Sequence, residues 1–214
     1  MRQIQPDVWE TDTEAPFPGL TTHAYLLTRE QGNVLFYNTR HKADIDQMAE
    51  LGGVDHQLLS HEDEVGEGMN HLAQRHGTQL WGHVAEQAAF ARVRTPDHTF
   101  DQRQTVLGNI ELIPTPGHSP GSTCFLVESP LGQRYLFTGD TLFINRQNRW
   151  TAGFIASVHT EENRTLLADS LRLLRTLEPD VVFGSAFTGD HGFEVMTGDR
   201  WPEAVDQALE RLLR

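Results

Sequence analysis

Short extended segments, grouped in two blocks and bounded by turn residues, constrain the fold of this chain more than any other feature. Apolar and β-branched runs between glycine, proline and polar clusters are typical of strands, and they occur at 24–28, 33–37, 57–60, 79–81, 110–113, 122–127, 134–138 and 180–183. Helical spacing of apolar residues predicts helices at 43–51, 62–75, 84–92, 160–177 and 202–213. Because each block of strands closes with helices, we expect an α/β fold in which two mixed β-sheets pack together with helices outside.

The length of the chain favours a single domain. Its 214 residues are enough for one sizeable core, whereas two ordinary domains would be cramped. No internal repeat, linker or low-complexity segment divides the sequence. We therefore predict one domain over residues 1–214.

Charge and composition exclude several classes of partner. The chain has 17 basic and 30 acidic side chains, for a net charge of −13, so nucleic acid and anionic membranes would be repelled. No apolar stretch approaches the roughly 18 residues of a membrane span, and residues 1–6 lack an apolar signal region. Cys124 is the only cysteine, which rules out an intramolecular disulfide and a thiolate cluster. We expect a cytoplasmic protein with a small-molecule substrate, and the oligomeric state stays open.

Three loops that follow predicted strands contain side chains suited to metal binding. The first reads Ser-His-Glu-Asp-Glu-Val over 60–65, the second Thr-Pro-Gly-His-Ser-Pro-Gly-Ser over 115–122, and the third Phe-Thr-Gly-Asp-Thr-Leu-Phe over 137–143. Imidazole nitrogens and carboxylate oxygens are ligands of zinc, iron and manganese. The loops therefore indicate a metal site built around His61, His118 and Asp140.

The second and third loops resemble two signature loops of the metallo-β-lactamase superfamily hydrolases, the glyoxalase II type especially. The order of predicted strands and helices is also similar to that family over nearly the whole chain. The resemblance implies an αββα sandwich and metal-assisted hydrolysis. In the family, two adjacent zinc or iron ions are bound, and the residue at Asp140 bridges them.

The first loop departs from the His-x-His-x-Asp-His run that the family carries there. Aligned on His61, the second histidine is Asp63, the aspartate is Val65 and the last histidine is Gly66. The final histidine of the family, in a turn after the last strand, corresponds to Ser185. The losses at Val65, Gly66 and Ser185 concentrate on one of the two metals, so the resemblance implies a reduced, mononuclear site.

The implied ligands of the remaining divalent ion are His61, Asp63, His118 and Asp140, with zinc, iron and manganese all compatible. An ion bound there would lower the pKa of a water molecule and polarise a carbonyl or phosphoryl oxygen. Val65 replaces the acid that orients this metal-bound water in the family, and Glu62 or Glu64 could substitute for it if its side chain turns inward, Glu64 being the candidate. The expected function is metal-dependent hydrolysis of a small ester, thioester or related substrate.

Other interpretations of the same residues compete with the metal site. Ser60 and Asp63 have the spacing of a helix capping box, which would explain the carboxylate without a metal. His191 is either the family's terminal histidine displaced by a short insertion or an exposed loop residue. The remaining histidines have no ligand-like frame and are expected on the surface or on helices: His23, His41, His56, His71, His76, His83, His98 and His159.

The aromatic-rich loop at 142–146, with Trp150 and Phe154 beyond it, either walls a substrate pocket or packs in the core. Arg146 and Arg149 in the same region are candidates for attracting an anionic substrate. The alternative function is a non-catalytic protein that keeps this fold to bind a ligand or partner. A redox enzyme of the flavodiiron sort is disfavoured because a second iron site and a flavin domain are not evident.

Overall fold

The computed structural model describes residues 1–214, and the chain divides into two compact units, Met1–Phe100 and Asp101–Arg214. Each unit has its own sheet and helices. The prediction of one domain over 1–214 stays a prediction. None of the helices has the length and apolar character that crossing a membrane requires.

The first unit is built on a mixed sheet of seven strands. Its strands are β1 Arg2–Gln5, β2 Val8–Glu10, β5 Tyr25–Leu27, β6 Val34–Phe36, β7 His56–Leu58, β8 Gln79–His83 and β9 His98–Phe100, paired in that order, and β3 Glu14–Phe17 and β4 Leu20–Thr22 form a separate antiparallel pair. Strands β6 to β9 run parallel to one another. The loop after β7 therefore leaves the carboxyl edge of this parallel segment.

The helices of the first unit are short. They are α1 Lys42–Gln47, α2 Gly68–His76 and α3 Gln87–Phe90, with 3-10 turns at Met48–Leu51, Glu62–Glu64 and Val84–Glu86. The helix predicted at 62–75 is wrong in its first part, because the 3-10 turn at Glu62–Glu64 ends at an extended Val65 and α2 starts only at Gly68. Gly66 and Gly68 weaken helix formation across this break.

The second unit contains a six-stranded sheet. Its strands are β10 Gln104–Val106, β11 Ile110–Pro114, β12 Thr123–Glu128, β13 Arg134–Gly139, β16 Val181–Gly184 and β18 Phe193–Val195, and three more strands, β14 Leu142–Ile144, β15 Trp150–Ala152 and β17 Ala186–Phe187, pair beside one another. Strands β13 and β16 are parallel neighbours. Residues that follow these two strands consequently meet at one edge of the sheet.

Two long helices, α4 Glu161–Leu174 and α5 Arg200–Leu212, complete the second unit. Helix α4 begins as the sequence predicts because Thr160 and Asn163 form a reciprocal capping box at its start. Apolar side chains of both helices share one buried cluster with the strands, including Ile113, Leu126, Leu136, Leu167, Leu171, Trp201 and Val205. Leu142, Ile144 and Trp150 belong to the same cluster, so the packing interpretation of these three residues is confirmed.

Cys124 lies on β12 and is fully buried. Burial raises the pKa of its thiol to about 12, and the hydrogen bonds with Thr115 and Thr141 lower it by less. The thiolate is the reactive form of cysteine. We therefore predict no reaction of the native chain with a disulfide-exchange reagent at pH 8, and full reaction of the single thiol in denaturant. Rapid modification of the native chain would contradict this burial.

Candidate metal-binding site

The first ligand loop, residues 59–66, follows β7 and contains His61 and Asp63. His61 is only 2% exposed and has an extended backbone, with φ −164°. Its Nε2 atom lies 4.0 Å from Oδ2 of Asp63, whose side chain is 72% exposed. The structure thus brings one buried imidazole and one solvent-facing carboxylate together.

Hydrogen bonds determine which nitrogen of His61 carries the proton. The Ser60 hydroxyl donates to Oε1 of Glu64 at 2.5 Å, and its oxygen lies 2.7 Å from Nδ1 of His61. Because the hydroxyl proton is directed at the carboxylate, the hydroxyl oxygen accepts from Nδ1. Nε2 is then the unprotonated nitrogen, and this is the form in which histidine ligates a metal.

The capping interpretation of Asp63 is wrong. The 3-10 turn begins at Glu62, its N-cap is His61, and no side chain caps it. The amide of Ser60 instead donates to Oε2 of Glu64 at 2.8 Å. Both oxygens of Glu64 therefore bond to Ser60. A carboxylate that orients a metal-bound water would instead need an oxygen directed at that water.

Val65 occupies the position of the missing aspartate and has a structural role. Its side chain packs against the small buried cluster of Leu59, Met69, Leu80 and Phe90. An ionised acid directed into that cluster would lose hydration without gaining a partner. The local packing therefore suits an apolar residue at this position.

The second ligand loop, residues 115–122, joins β11 to β12 and carries His118. Its ends are closed by the Thr115 amide, which donates to Ser122 O at 2.7 Å. Helix α4 fixes the loop from one side, since the Ser170 hydroxyl donates to Pro116 O at 2.8 Å. Gly117 has a φ of +135°, and a Cβ there would lie 2.4 Å from the backbone nitrogen of Leu167. Close contact with α4 thus requires glycine at position 117.

Gly153 fixes the orientation of His118. Nδ1 of His118 lies 2.8 Å from Gly153 O, and a carbonyl oxygen can only accept, so Nδ1 carries the proton and Nε2 is the ligand nitrogen. A Cβ at Gly153 would lie 1.9 Å from Asp140 O and 3.0 Å from His118 Nδ1. No motif in the sequence marks Gly153, whose only signal is its position directly after the 150–152 segment.

Asp140 and Ser185 follow the parallel strands β13 and β16 and meet at the same sheet edge. Oδ2 of Asp140 lies 3.9 Å from Nε2 of His118. Its other oxygen, Oδ1, accepts a hydrogen bond of 2.5 Å from the Ser185 hydroxyl. One carboxylate oxygen therefore lies beside the ligand nitrogen, and the other bonds to the residue that replaces the family's terminal histidine.

His159 is a second residue near the site that the sequence analysis missed. Its ring lies edge-on to that of His118, with centroids 5.4 Å apart, and also contacts Phe154. The Ile155 amide donates to His159 Nδ1 at 2.9 Å. His191, by contrast, is exposed and contacts Phe193, which supports its interpretation as a loop residue.

Comparison with known proteins gives the same superfamily that the second ligand loop and the Asp140 loop resemble. A model of the metallo-beta-lactamase superfamily matches residues 55–186, more than half of the chain, and this segment includes both ligand loops, Asp140 and Ser185. The chain therefore belongs to the metallo-beta-lactamase superfamily. A search of curated proteins finds no match.

Solved structures show the same fold. A metallo-beta-lactamase from Pontibacter korlensis superposes with a TM-score of 0.70 at 18% identity and covers 99% of this chain and 97% of its own. A family protein from Thermus thermophilus has a TM-score of 0.69 at 18% identity, covering 97% of this chain and 79% of its own. A Cronobacter sakazakii metallo-beta-lactamase described by a HARLDQ motif has a TM-score of 0.59 at 20% identity, covering 82% and 81%. The predicted α/β class is confirmed.

Proposed function

We propose that this chain is a mononuclear, metal-dependent hydrolase of a small ester, thioester or related substrate, with one divalent ion held by His61, Asp63, His118 and Asp140. The observation that carries the proposal is the matched orientation of the two histidines. Each has an acceptor at Nδ1, so each presents Nε2 as a ligand. His61, Asp63 and His118 supply imidazole and carboxylate groups, which are ligands of divalent metals.

The contacts of Asp140 support a single ion. In the family this carboxylate bridges two metals, whereas here its Oδ1 accepts from Ser185 at 2.5 Å. That oxygen is therefore engaged by a hydrogen bond at the place where a second ion would bind. Val65 packs in an apolar cluster and Gly66 has no side chain, so neither offers a ligand for that ion. The donor set of two nitrogens and two carboxylates suits zinc, iron or manganese.

A divalent ion at these ligands would polarise a substrate carbonyl and lower the pKa of a water molecule. The chain's own contribution is to hold the ion and to shape the surface beside it. The turn that follows Gly153 exposes two apolar side chains, Ile155 at 52% and Val158 at 70%. Because Gly153 itself bonds to His118, this apolar turn is close to the ligand and suits a substrate with an apolar acyl group.

The test is hydrolysis of a series of p-nitrophenyl esters and acyl thioesters by the chain loaded with zinc, iron(II) or manganese. We expect turnover that a chelator removes and that His61→Ala lowers by more than about 100-fold, because an ion without this ligand is lost or misplaced. The matched control is His191→Ala, an exposed histidine, which should retain activity. If no metal supports turnover above the His61→Ala background, the hydrolase proposal is wrong.

A non-catalytic, ligand-binding protein is the second candidate, and one observation favours it. The first ligand loop lacks the family's water-orienting acid at position 65, where Val65 is apolar, and Glu64 bonds to Ser60 through both oxygens. The same assay separates the two functions. A chain that binds metal with retained fold but hydrolyses no acyl substrate would support the binding function.

A further inference from the structure

Glu64 lies in the first ligand loop but has contacts that the proposed chemistry does not explain. Its side chain is only 7% exposed, although it belongs to a run of three acidic residues in which Asp63 faces solvent. Oε1 accepts from the Ser60 hydroxyl at 2.5 Å and Oε2 accepts from the Ser60 amide at 2.8 Å. A buried carboxylate with two such bonds is held in one orientation.

We propose that Glu64 is a positioning residue that acts through Ser60 to keep the proton of His61 on Nδ1 and Nε2 ready for a metal. This inference rests on the proposed metal site and assigns Glu64 a role other than orienting water. Ser60 and Glu64 form a hydrogen-bonded pair, which we call the relay, and this pair determines which nitrogen of His61 carries the proton.

The proton positions in the relay follow from what each group can donate. An ionised carboxylate only accepts, so the Ser60 hydroxyl must point its proton at Glu64. The Ser60 oxygen then has lone pairs facing His61 Nδ1 at 2.7 Å, and this contact requires a proton on Nδ1. The carboxylate therefore determines the His61 tautomer without bonding to the ligand nitrogen.

Hydrogen bonds from Asn38, which Gln57 contacts in turn, also hold the backbone of the first ligand loop. The Asn38 side chain donates through Nδ2 to Glu64 O at 2.9 Å, and Gln57 donates to Asn38 Oδ1 at 3.1 Å. Gln57 is fully buried on β7. The backbone of Glu64 is thus fixed relative to the strand that precedes His61, and the relay has little freedom to rearrange.

The Glu64→Gln substitution hardly changes the side-chain volume, but it reverses the hydrogen-bond donors and acceptors between residue 64, Ser60 and His61. In its better orientation the amide oxygen accepts from the Ser60 N–H, and the NH₂ group then faces the Ser60 hydroxyl. The hydroxyl accepts from this group and turns its own proton toward Nδ1, which moves the His61 proton to Nε2. We expect the zinc affinity of Glu64→Gln to fall by about 10- to 100-fold, the range for outer-sphere partners of metal-bound histidines.

Two variants serve as controls. Ser60→Ala removes the hydroxyl but leaves Glu64 Oε1, which is 3.4 Å from His61 Nδ1, as a direct acceptor for the same proton. We therefore expect a smaller loss in Ser60→Ala, about threefold, well below the range for a reversed outer-sphere partner. Glu67→Gln removes an exposed carboxylate of the same loop region and should leave affinity unchanged.

The experiment combines chelator competition with zinc and nitrogen NMR of the imidazole tautomers in the metal-free chain at pH 8. The expected result is an Nδ1–H tautomer for His61 in the wild type, an Nε2–H tautomer in Glu64→Gln, and the stated order of affinities. An Nε2–H tautomer in the wild type would overturn the inference, and this measurement needs no variant to fold. Wild-type affinity and tautomer in Glu64→Gln would also overturn it. Absence of hydrolysis alone would count against the proposed function and leave the relay intact.

Discussion

His118→Ala is expected to reduce zinc affinity by more than about 100-fold, because loss of an outer-sphere partner alone costs 10- to 100-fold and this change removes a ligand. The affinity is measured by competition with a chromophoric chelator. The increase in thermal midpoint that zinc gives the wild type should disappear in the variant, since only binding to the folded state stabilises it.

The effect is expected to be specific to this histidine. Its Nδ1 bonds to Gly153 and its Nε2 lies 3.9 Å from Asp140, so the ring is held for a ligand role from both sides. His41→Ala, at an exposed histidine of the first unit, is the matched control and should bind zinc as the wild type does. Unchanged affinity and unchanged zinc-dependent stability in His118→Ala would contradict the assignment.

Gly117→Ala is expected to lower the free energy of unfolding by about 3 kcal/mol or more, as a sum of backbone strain and overpacking. The φ of +135° disfavours any L side chain, and the added Cβ would lie 2.4 Å from Leu167 N and 2.6 Å from its Cα. These are atoms of the α4 backbone, which cannot rotate away as a side chain would. Guanidinium denaturation measures the loss.

The Gly108→Ala variant separates the cost of backbone strain from the cost of steric overlap. Gly108 also has a positive φ, +85°, but a Cβ there meets no atom within 4 Å. This control should cost only about 1 kcal/mol. Equal losses in the two variants would mean that contact with α4 does not constrain the second ligand loop.

Long periodic or framed segments could be predicted from the sequence. Helix α4 has regular apolar spacing and a capping box at Thr160, and the Pro-Gly-His frame marks the second ligand loop. Strands such as β14, β15 and β17 contain only two or three residues, too few for a period to emerge. The break before α2 was missed because Gly66 and Gly68 lower helix propensity without fixing where a helix begins, and the extended conformation of Val65 arises only in the folded loop.

The contacts that define the candidate site are formed by residues distant in sequence. Gly153 is 35 positions from His118, and Ser185 is 45 positions from Asp140. The alignment with the family identified Ser185 as a loss, but it could not show that the hydroxyl would bond to Asp140. His159 was passed over because its contact with His118 arises only from the turn after Gly153.

The number of bound ions tests the central claim most directly. The chain is loaded with excess zinc, freed of unbound metal by gel filtration, and measured by mass spectrometry of the metal against protein concentration. The contacts of His61, His118 and Asp140, with Ser185 bonded to the second oxygen of Asp140, predict one ion per chain. Two ions per chain, or none in a folded chain loaded with zinc, iron or manganese, would contradict the account.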